Sequence, residues 1–154
     1  MASATARPRP KRILIVEDQA ILGMELELLL SHAGHEVVGV AVDSRQALAL
    51  AEQARPDLAL VDIRLKDGAT GTTIAERMVA GGITVLFVTA EPELIPSQFA
   101  GAFGVLMKPY SAPSVEQAVD YCLALREGED PGPPPYPLRL APWLSARLES
   151  NGPH

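Results

Sequence analysis

Short apolar runs alternate along the chain with longer segments in which apolar residues recur every three or four positions. An uninterrupted apolar run is typical of a parallel strand covered on both faces, and the longer period is typical of an amphipathic helix. The runs predict five strands, at residues 12–16, 36–41, 58–61, 83–88 and 103–107. Helical periodicity predicts helices at residues 19–33, 43–54, 72–80 and 111–126.

The segment between the fourth and fifth strands gives the weakest helix prediction. It reads EPELIPSQFAGA and contains Pro92 and Pro96, so any helix there is short. With this segment included, strand and helix signals alternate five times. Parallel neighbours need crossover connections, so the alternation predicts an α/β domain with a doubly wound, five-stranded parallel sheet and helices on both faces.

Polar residues stand where four of the predicted strands end. Glu17 and Asp18 follow the first strand, Asp62 the third, Thr89 the fourth and Lys108 the fifth. The carboxyl ends of parallel strands share one edge of the sheet, where ligands bind in open α/β folds. We therefore expect these side chains to form one site. The adjacent acids repel each other unless solvent or a divalent cation neutralises them, and Mg²⁺ prefers such oxygen ligands.

Each of these residues has a plainer explanation when taken alone. Asp62 could begin a turn before Asp67-Gly68, and Asp18 could cap the following helix. A single Lys after a strand is most often a solvated charge, and a single Thr there is most often a strand former. Their shared position at four strand ends favours a common site.

Composition argues against several classes of protein. The 154 residues carry a formal charge of -6, which disfavours a general nucleic-acid or membrane-surface binder. No apolar run approaches the roughly 20 residues that span a bilayer, and the basic N-terminus lacks the apolar core of a secretory signal. The single cysteine, Cys122, fits a reducing compartment. We expect a cytoplasmic protein that binds neither nucleic acid nor membrane.

The same patterns predict the domain boundaries. We expect residues 1–11 to be a disordered lead-in, 12–126 to form the folded domain, and 127–137 to be an extended, proline-rich linker reading EGEDPGPPPYP. The remaining tail, 138–154, is too short for a DNA-binding output domain and contains no helix-turn-helix.

The tail nevertheless carries an apolar patch. Pro142 could begin a short helix with Trp143, Leu144 and Leu148 on one side. Two alternatives stay open: the tail is disordered, or it docks through Trp143 on the domain or on a second protomer.

The set of strand-end motifs resembles the receiver domain of bacterial two-component response regulators. The motifs are Glu17-Asp18, Asp62 in VDIRLKDGATG, Thr89-Ala90 and Lys108-Pro109-Tyr110. The resemblance covers about residues 11–126. It implies the flavodoxin-like (βα)5 fold with strand order 2-1-3-4-5.

The resemblance also implies a role for each residue. Asp62 would accept a phosphoryl group from a histidine kinase or phosphotransfer protein. Mg²⁺ would be held directly by Asp18 and Asp62, through water by Glu17, and by the backbone carbonyl of Arg64. Lys108 and Thr89 would contact phosphoryl oxygens, and the Lys108-Pro109 peptide bond would be cis.

A conformational switch is a further implication. Thr89 would move towards the phosphoryl group, and Tyr110 would turn inward into the space that Thr89 leaves. This would repack the face made by the predicted fourth helix, fifth strand and fifth helix. Homodimerisation through that face or through the tail is an added expectation.

Several functional hypotheses remain. The first is a single-domain response regulator, not an enzyme proper, that signals by protein contacts or acts as a phosphate sink. The second is an adaptor that binds its partner without phosphorylation. A phosphatase of the haloacid dehalogenase type is also disfavoured. That class has an Asp-x-Asp nucleophile pair after the first strand, whereas here Glu17-Asp18 is followed by Gln19-Ala20. A dinucleotide-binding enzyme is disfavoured because no glycine-rich turn follows Val16.

Overall fold

A computed structural model describes residues 11–150 of the chain, and its secondary structure follows the predicted alternation closely. The strands are β1 (Arg12–Val16), β2 (Glu36–Ala41), β3 (Leu58–Val61), β4 (Thr84–Thr89), β5 (Gly104–Met107) and β6 (Arg139–Leu140). The helices are α1 (Ala20–His32), α2 (Ser44–Ala54), α3 (Gly71–Ala80), α4 (Ala112–Arg126) and α5 (Pro142–Ser150). The expected disordered lead-in lies outside the described residues, except for Lys11.

The sheet has the order β2-β1-β3-β4-β5-β6. The first five strands are parallel, which confirms the doubly wound fold and the order 2-1-3-4-5. All five predicted strands are present, and β6 adds an antiparallel sixth strand beside β5 that the sequence analysis did not predict. An edge strand presents unpaired backbone groups, and the tail pairs with those of β5.

Two apolar clusters form the core, one on each face of the sheet. Helices α2 and α3 cover one cluster, which is centred on Val16, Val61 and Phe87. Helices α1 and α4 cover the other, which is centred on Ile15, Leu60 and Leu86. Neighbouring residues of each strand alternate between the two clusters, as the pleat requires.

No α-helix forms between β4 and β5. The chain makes two short 3₁₀ turns there, Pro92–Leu94 and Phe99–Gly101. Pro96 lacks an amide hydrogen, and Phe99 and Ala100 adopt left-handed backbone angles with φ of 55° and 52°. The predicted face of fourth helix, fifth strand and fifth helix therefore does not exist in that form, which corrects the expected dimer surface.

The C-terminal tail packs on the domain. Leu138, Ala141 and Leu144 are buried. The indole Nε1 of Trp143 donates a hydrogen bond of 2.9 Å to the carbonyl oxygen of Ala102. The Trp143 ring meets that of Phe103 edge to face, at a centroid distance of 5.8 Å. These contacts favour docking over disorder for residues 138–150.

The linker before the tail is also tied to the domain. The hydroxyl of Tyr121 on α4 donates a hydrogen bond of 2.6 Å to the carbonyl oxygen of Gly132. Among residues 11–150, no helix is long and apolar enough to cross a membrane.

The close approach of α3 to β3 predicts the effect of one substitution. A Cβ atom at Gly71 would lie 2.3 Å from the carbonyl oxygen of Asp62 and 2.5 Å from the Cα atom of Ile63. Since backbone cannot yield as a side-chain end can, Gly71→Ala should lower the free energy of unfolding by about 1–3 kcal/mol. Urea denaturation measures this change.

The matched control is Gly81→Ala at the other end of α3. A Cβ atom at Gly81 would meet only ordinary contacts, the nearest at 3.5 Å from the carbonyl oxygen of Met78. This variant should stay within about 1 kcal/mol of the wild type. Equal effects of the two substitutions would contradict the steric argument.

Candidate active site

The polar strand-end residues lie together at the carboxyl edge of the sheet. Glu17 and Asp62 directly follow β1 and β3, which are hydrogen-bonded neighbours. Thr89 is the last residue of β4, and Lys108 directly follows β5. Because every one of these strands is parallel to the next, their carboxyl ends open into the same hollow.

Lys108 joins two of the carboxylates. Its Nζ atom donates hydrogen bonds of 2.7 Å to Oε1 of Glu17 and of 2.7 Å to Oδ2 of Asp62. The side chain of Glu17 is fully buried, that of Asp62 is 9% exposed, and that of Lys108 is 13% exposed. Breaking a buried pair of this kind leaves an uncompensated charge, which is strongly destabilising. The ammonium group is therefore needed to hold both carboxylates in place.

Burial and pairing act on the pKa values of this cluster in opposite ways. Burial raises the pKa of the Glu17 carboxyl, and the hydrogen bond from Lys108 only partly offsets it. Burial alone would lower the pKa of the Lys108 ammonium, but the hydrogen bonds to Asp62 and Glu17 together raise it. Lys108 therefore stays charged at neutral pH, whereas an ionised Glu17 costs free energy.

Three carboxylates of the site can converge on one cation. Glu17, Asp18 and Asp62 each offer an oxygen, and these atoms all lie within 4.8 Å of one another. One ammonium leaves two of their three negative charges without compensation. A hard divalent cation with oxygen ligands supplies that compensation, so this donor set fits Mg²⁺.

Asp18 does not serve as the cap of α1. The N-cap residue is Gln19, and no side chain caps this helix end. The amide of Gln19 instead donates a hydrogen bond of 3.0 Å to Oε2 of Glu17. Asp18 is half-buried, and one of its carboxylate oxygens already lies within 4.8 Å of the other two, which favours a place in the acidic cluster over the capping alternative.

Thr89 and Arg64 both contact Glu91, a residue that the sequence prediction missed. The hydroxyl oxygen of Thr89 accepts a hydrogen bond of 3.0 Å from the amide of Glu91. The guanidinium of Arg64 pairs with the Glu91 carboxylate through two contacts, of 2.7 Å and 3.1 Å. The only sequence signal for this role was the acid two residues after Thr89.

Tyr110 and Thr89 lie beside different apolar clusters. Thr89 alternates with Val88 and so belongs to the face of α2 and α3, whereas Tyr110 packs against the α1 and α4 cluster. Tyr110 is already half-buried, and burial raises its pKa to about 12. The exchange of Tyr110 into space left by Thr89 stays a prediction, and this packing disfavours it.

The Tyr110 hydroxyl has no hydrogen-bond partner among the described residues. The Lys108–Pro109 peptide bond before it is cis. On the face that carries Thr89, the β5 residue registered opposite it is Met107. A residue of β5 is thus better placed than Tyr110 to respond to movement of Thr89.

Comparison with known proteins identifies the family of this chain. Residues 13–120 match the response regulator receiver domain model. This chain belongs to that family. Its fold is that of a receiver domain, a signalling module of two-component systems.

Two curated relatives are larger than this chain. The transcriptional regulatory protein PdtaR of Mycobacterium tuberculosis is 37% identical over 118 residues, which cover 71% of this chain and 57% of PdtaR. The phyllosphere-induced regulator PhyR of Methylorubrum extorquens is 34% identical over 119 residues, which cover 75% of this chain and 44% of PhyR. The match thus spans about half the length of each relative.

A solved structure of the same size as the domain matches most of it. The CheY-like receiver domain protein from Methanospirillum hungatei superimposes with a TM-score of 0.70 at 31% identity. The superposition covers 77% of this chain and 98% of the Methanospirillum protein. The fold prediction is therefore supported by a complete receiver domain.

The raised pKa of Glu17 predicts a pH-dependent stability difference. A raised folded-state pKa contributes stability below the unfolded value of 4.5, and that contribution is lost as the pH rises through the folded value. At pH 7–8 an ionised Glu17 therefore costs stability. Without divalent cations, Glu17→Gln should melt a few degrees above the wild type there, and the difference should shrink towards pH 4.5.

Thermal melts in chelator across this pH range measure the effect. Glu52→Gln removes the same charge from an exposed site on α2 and should leave the melting temperature unchanged. A Glu17→Gln protein that melts below the wild type at pH 8 would show that the hydrogen bond to Lys108 outweighs burial.

Proposed function

We propose that Asp62 accepts a phosphoryl group from a phosphohistidine on a kinase or phosphotransfer protein. The observation that carries this proposal is the largely buried ammonium of Lys108, which lies 2.7 Å from a carboxylate oxygen of Asp62 at the carboxyl edge of the sheet. A carboxylate attacks a phosphoryl group only where their shared negative charge is compensated. Lys108 and a cation bound by the acidic cluster would together compensate this negative charge.

The transfer forms a bond between an Asp62 oxygen and phosphorus and breaks the bond between phosphorus and the histidine nitrogen. The imidazole leaves with that electron pair. Lys108 then exchanges its contact with Asp62 for one with a phosphoryl oxygen, as a point charge on a flexible stem can. Mg²⁺ held by Glu17, Asp18, Asp62 and the Arg64 carbonyl would neutralise the remaining charge on the phosphoryl oxygens.

Thr89 is placed to bind another phosphoryl oxygen. Its hydroxyl is almost fully buried and accepts from the Glu91 amide, which leaves its own hydrogen free to be donated. Donation of that hydrogen to a phosphoryl oxygen on Asp62 would draw the Thr89 side chain towards the site. Thr89 therefore links phosphorylation to the segment that begins at Glu91.

The outer face of α1 is the surface we assign to the phosphoryl donor. Ile21, Met24 and Leu28 are 71%, 61% and 70% exposed and follow one side of the helix. The helix begins at Ala20, two residues after Asp18, so its first turn lies beside the acidic cluster. An apolar stripe of this spacing suits a helix of the donor protein.

The phosphoacceptor role predicts the outcome of direct phosphorylation. Acetyl phosphate with Mg²⁺ should add one acid-labile phosphoryl group to the wild type, and Asp62→Asn should remove it completely because no carboxylate is left to attack. Intact-mass spectrometry before and after acid treatment measures this. Adding a chelator should abolish the reaction.

Asp67→Asn is the matched control, since it makes the same change five residues later on the exposed loop. Asp67 accepts hydrogen bonds from Ser44 and Thr70 and is not one of the three carboxylates of the acidic cluster. It should keep the phosphoryl group. Partner binding that survives both Asp62→Asn and a beryllofluoride mimic would favour the adaptor hypothesis.

The docking role of α1 predicts a difference between two donors. Met24→Asp should slow phosphotransfer from the cognate kinase, found by profiling the kinases of the source organism, by about tenfold or more. It should leave phosphorylation by acetyl phosphate unchanged, because a small donor needs no docking surface. Transfer assays with both donors separate docking from chemistry.

Tyr136→Asp is the control for this prediction, since Tyr136 is 92% exposed in the linker. It should leave both donors unaffected. If Met24→Asp slows both reactions equally, the substitution has disturbed the site itself and the docking assignment fails.

A further inference from the structure

The most unusual part of the molecule is the tail that covers the β5 edge. Strand β6 pairs with Gly104 and Val105, and Trp143 reaches the segment before β5, where no α-helix forms. We propose that residues 138–150 are a reversible cover of the β5 edge, which is released when Asp62 is phosphorylated. This proposal rests on the phosphoacceptor function.

The β5 edge is shaped for a strand at close range. A Cβ atom at Gly104 would lie 2.5 Å from the carbonyl oxygen of Arg139 and 3.2 Å from a methyl carbon of Leu138. The amide of Ala141 donates a hydrogen bond of 2.8 Å to the carbonyl oxygen of Phe103. A glycine at this position lets a strand with apolar side chains lie directly against β5.

The tail is a short element at the edge of the domain. Strand β6 contains two residues, and Leu144 is the one buried residue of the nine in α5, with Leu138 and Ala141 buried before it. A cleft of about 560 Å³ lies between α5, the linker and α4, with Tyr121, Leu140 and Leu148 in its walls. A segment anchored by three buried residues at the edge of a domain can open without unfolding the sheet beneath it.

A continuous path joins the tail to the site. Thr89 and Arg64 hold Glu91 at the start of the segment between β4 and β5. The segment ends in the left-handed residues Phe99 and Ala100, a strained conformation that the surroundings must maintain. The carbonyl oxygen of Ala102, two residues further on, accepts a hydrogen bond from Trp143. One segment therefore carries a site contact at one end and the tail contact at the other.

A phosphoryl group on Asp62 weakens the contacts of Glu91 with Arg64 and Thr89. Its negative charge attracts the Arg64 guanidinium away from Glu91, and its oxygens attract the Thr89 hydroxyl. When Glu91 is released, the strained segment can relax and move the Ala102 carbonyl. The docked and released tails are then two states whose populations depend on phosphorylation.

Trp143 is the single tryptophan of the chain, so its fluorescence reports the position of the tail. In the full-length wild type, Mg²⁺ with beryllofluoride should shift the emission to longer wavelength and raise the acrylamide quenching constant about twofold or more. Asp62→Asn should show neither change. Fluorine NMR of the same samples reports whether the beryllofluoride adduct forms on Asp62.

Gly104→Ala provides the matched variant. Its added methyl group would clash with the backbone of β6 and displace the tail. Without beryllofluoride, acrylamide should therefore quench Trp143 in this variant as strongly as it quenches Trp143 in the wild type with beryllofluoride. Gly81→Ala, with no tail contact, should behave as the wild type. Circular dichroism verifies that the domain is folded in each variant.

The outcomes separate the two proposals. An adduct that forms while Trp143 stays protected overturns the reversible cover and leaves the phosphoacceptor function standing. Absence of the adduct overturns the phosphoacceptor function and the cover that rests on it. A folded Gly104→Ala protein with protected Trp143 overturns the close strand contact, even if the wild type responds.

Discussion

The contact of Lys108 with Glu17 and Asp62 is the interaction on which the site depends. Two carboxylates with almost no exposed surface lie beside the half-buried Asp18. Such a cluster is unfavourable in a protein interior unless it is paired. The ammonium compensates one charge and fixes the geometry, and the remaining negative charge is what draws a divalent cation. The feature that makes the site costly to fold is therefore the one that makes it able to bind a metal and a phosphoryl group.

The topology of the sheet makes this contact possible. Neighbouring parallel strands end at one edge, so residues far apart in sequence meet without any local motif. Gly71 contributes by letting α3 approach the backbone of Asp62 and Ile63, with its amide 2.8 Å from the carbonyl oxygen of Ile63. The acidic residue that follows β3 is thus held by main chain on one side and by Lys108 on the other.

The other unusual part of the molecule is the edge of β5, whose backbone groups would be unpaired without the tail. Without an α-helix between β4 and β5, the edge of the sheet and the carbonyls of Ala102 and Phe103 need partners. The tail supplies them with a two-residue strand and an indole N–H. A backbone edge that is covered, even by so short a segment, is protected from unspecific pairing.

The sequence by itself determined the positions of the five parallel strands along the chain, their alternation with helices and the four strand ends that carry Glu17, Asp18, Asp62, Thr89 and Lys108. These depend on local apolar periodicity and on the rule that parallel strands end together. Only the tertiary structure decided the pairing of Lys108 with Glu17, the contact of Arg64 with Glu91, the face on which Tyr110 packs and the docking of the tail. Lys108 and Glu17 are 91 residues apart, and Trp143 and Ala102 are 41 apart. No local pattern encodes which of several polar groups a side chain reaches at such separations, because that choice is made by packing.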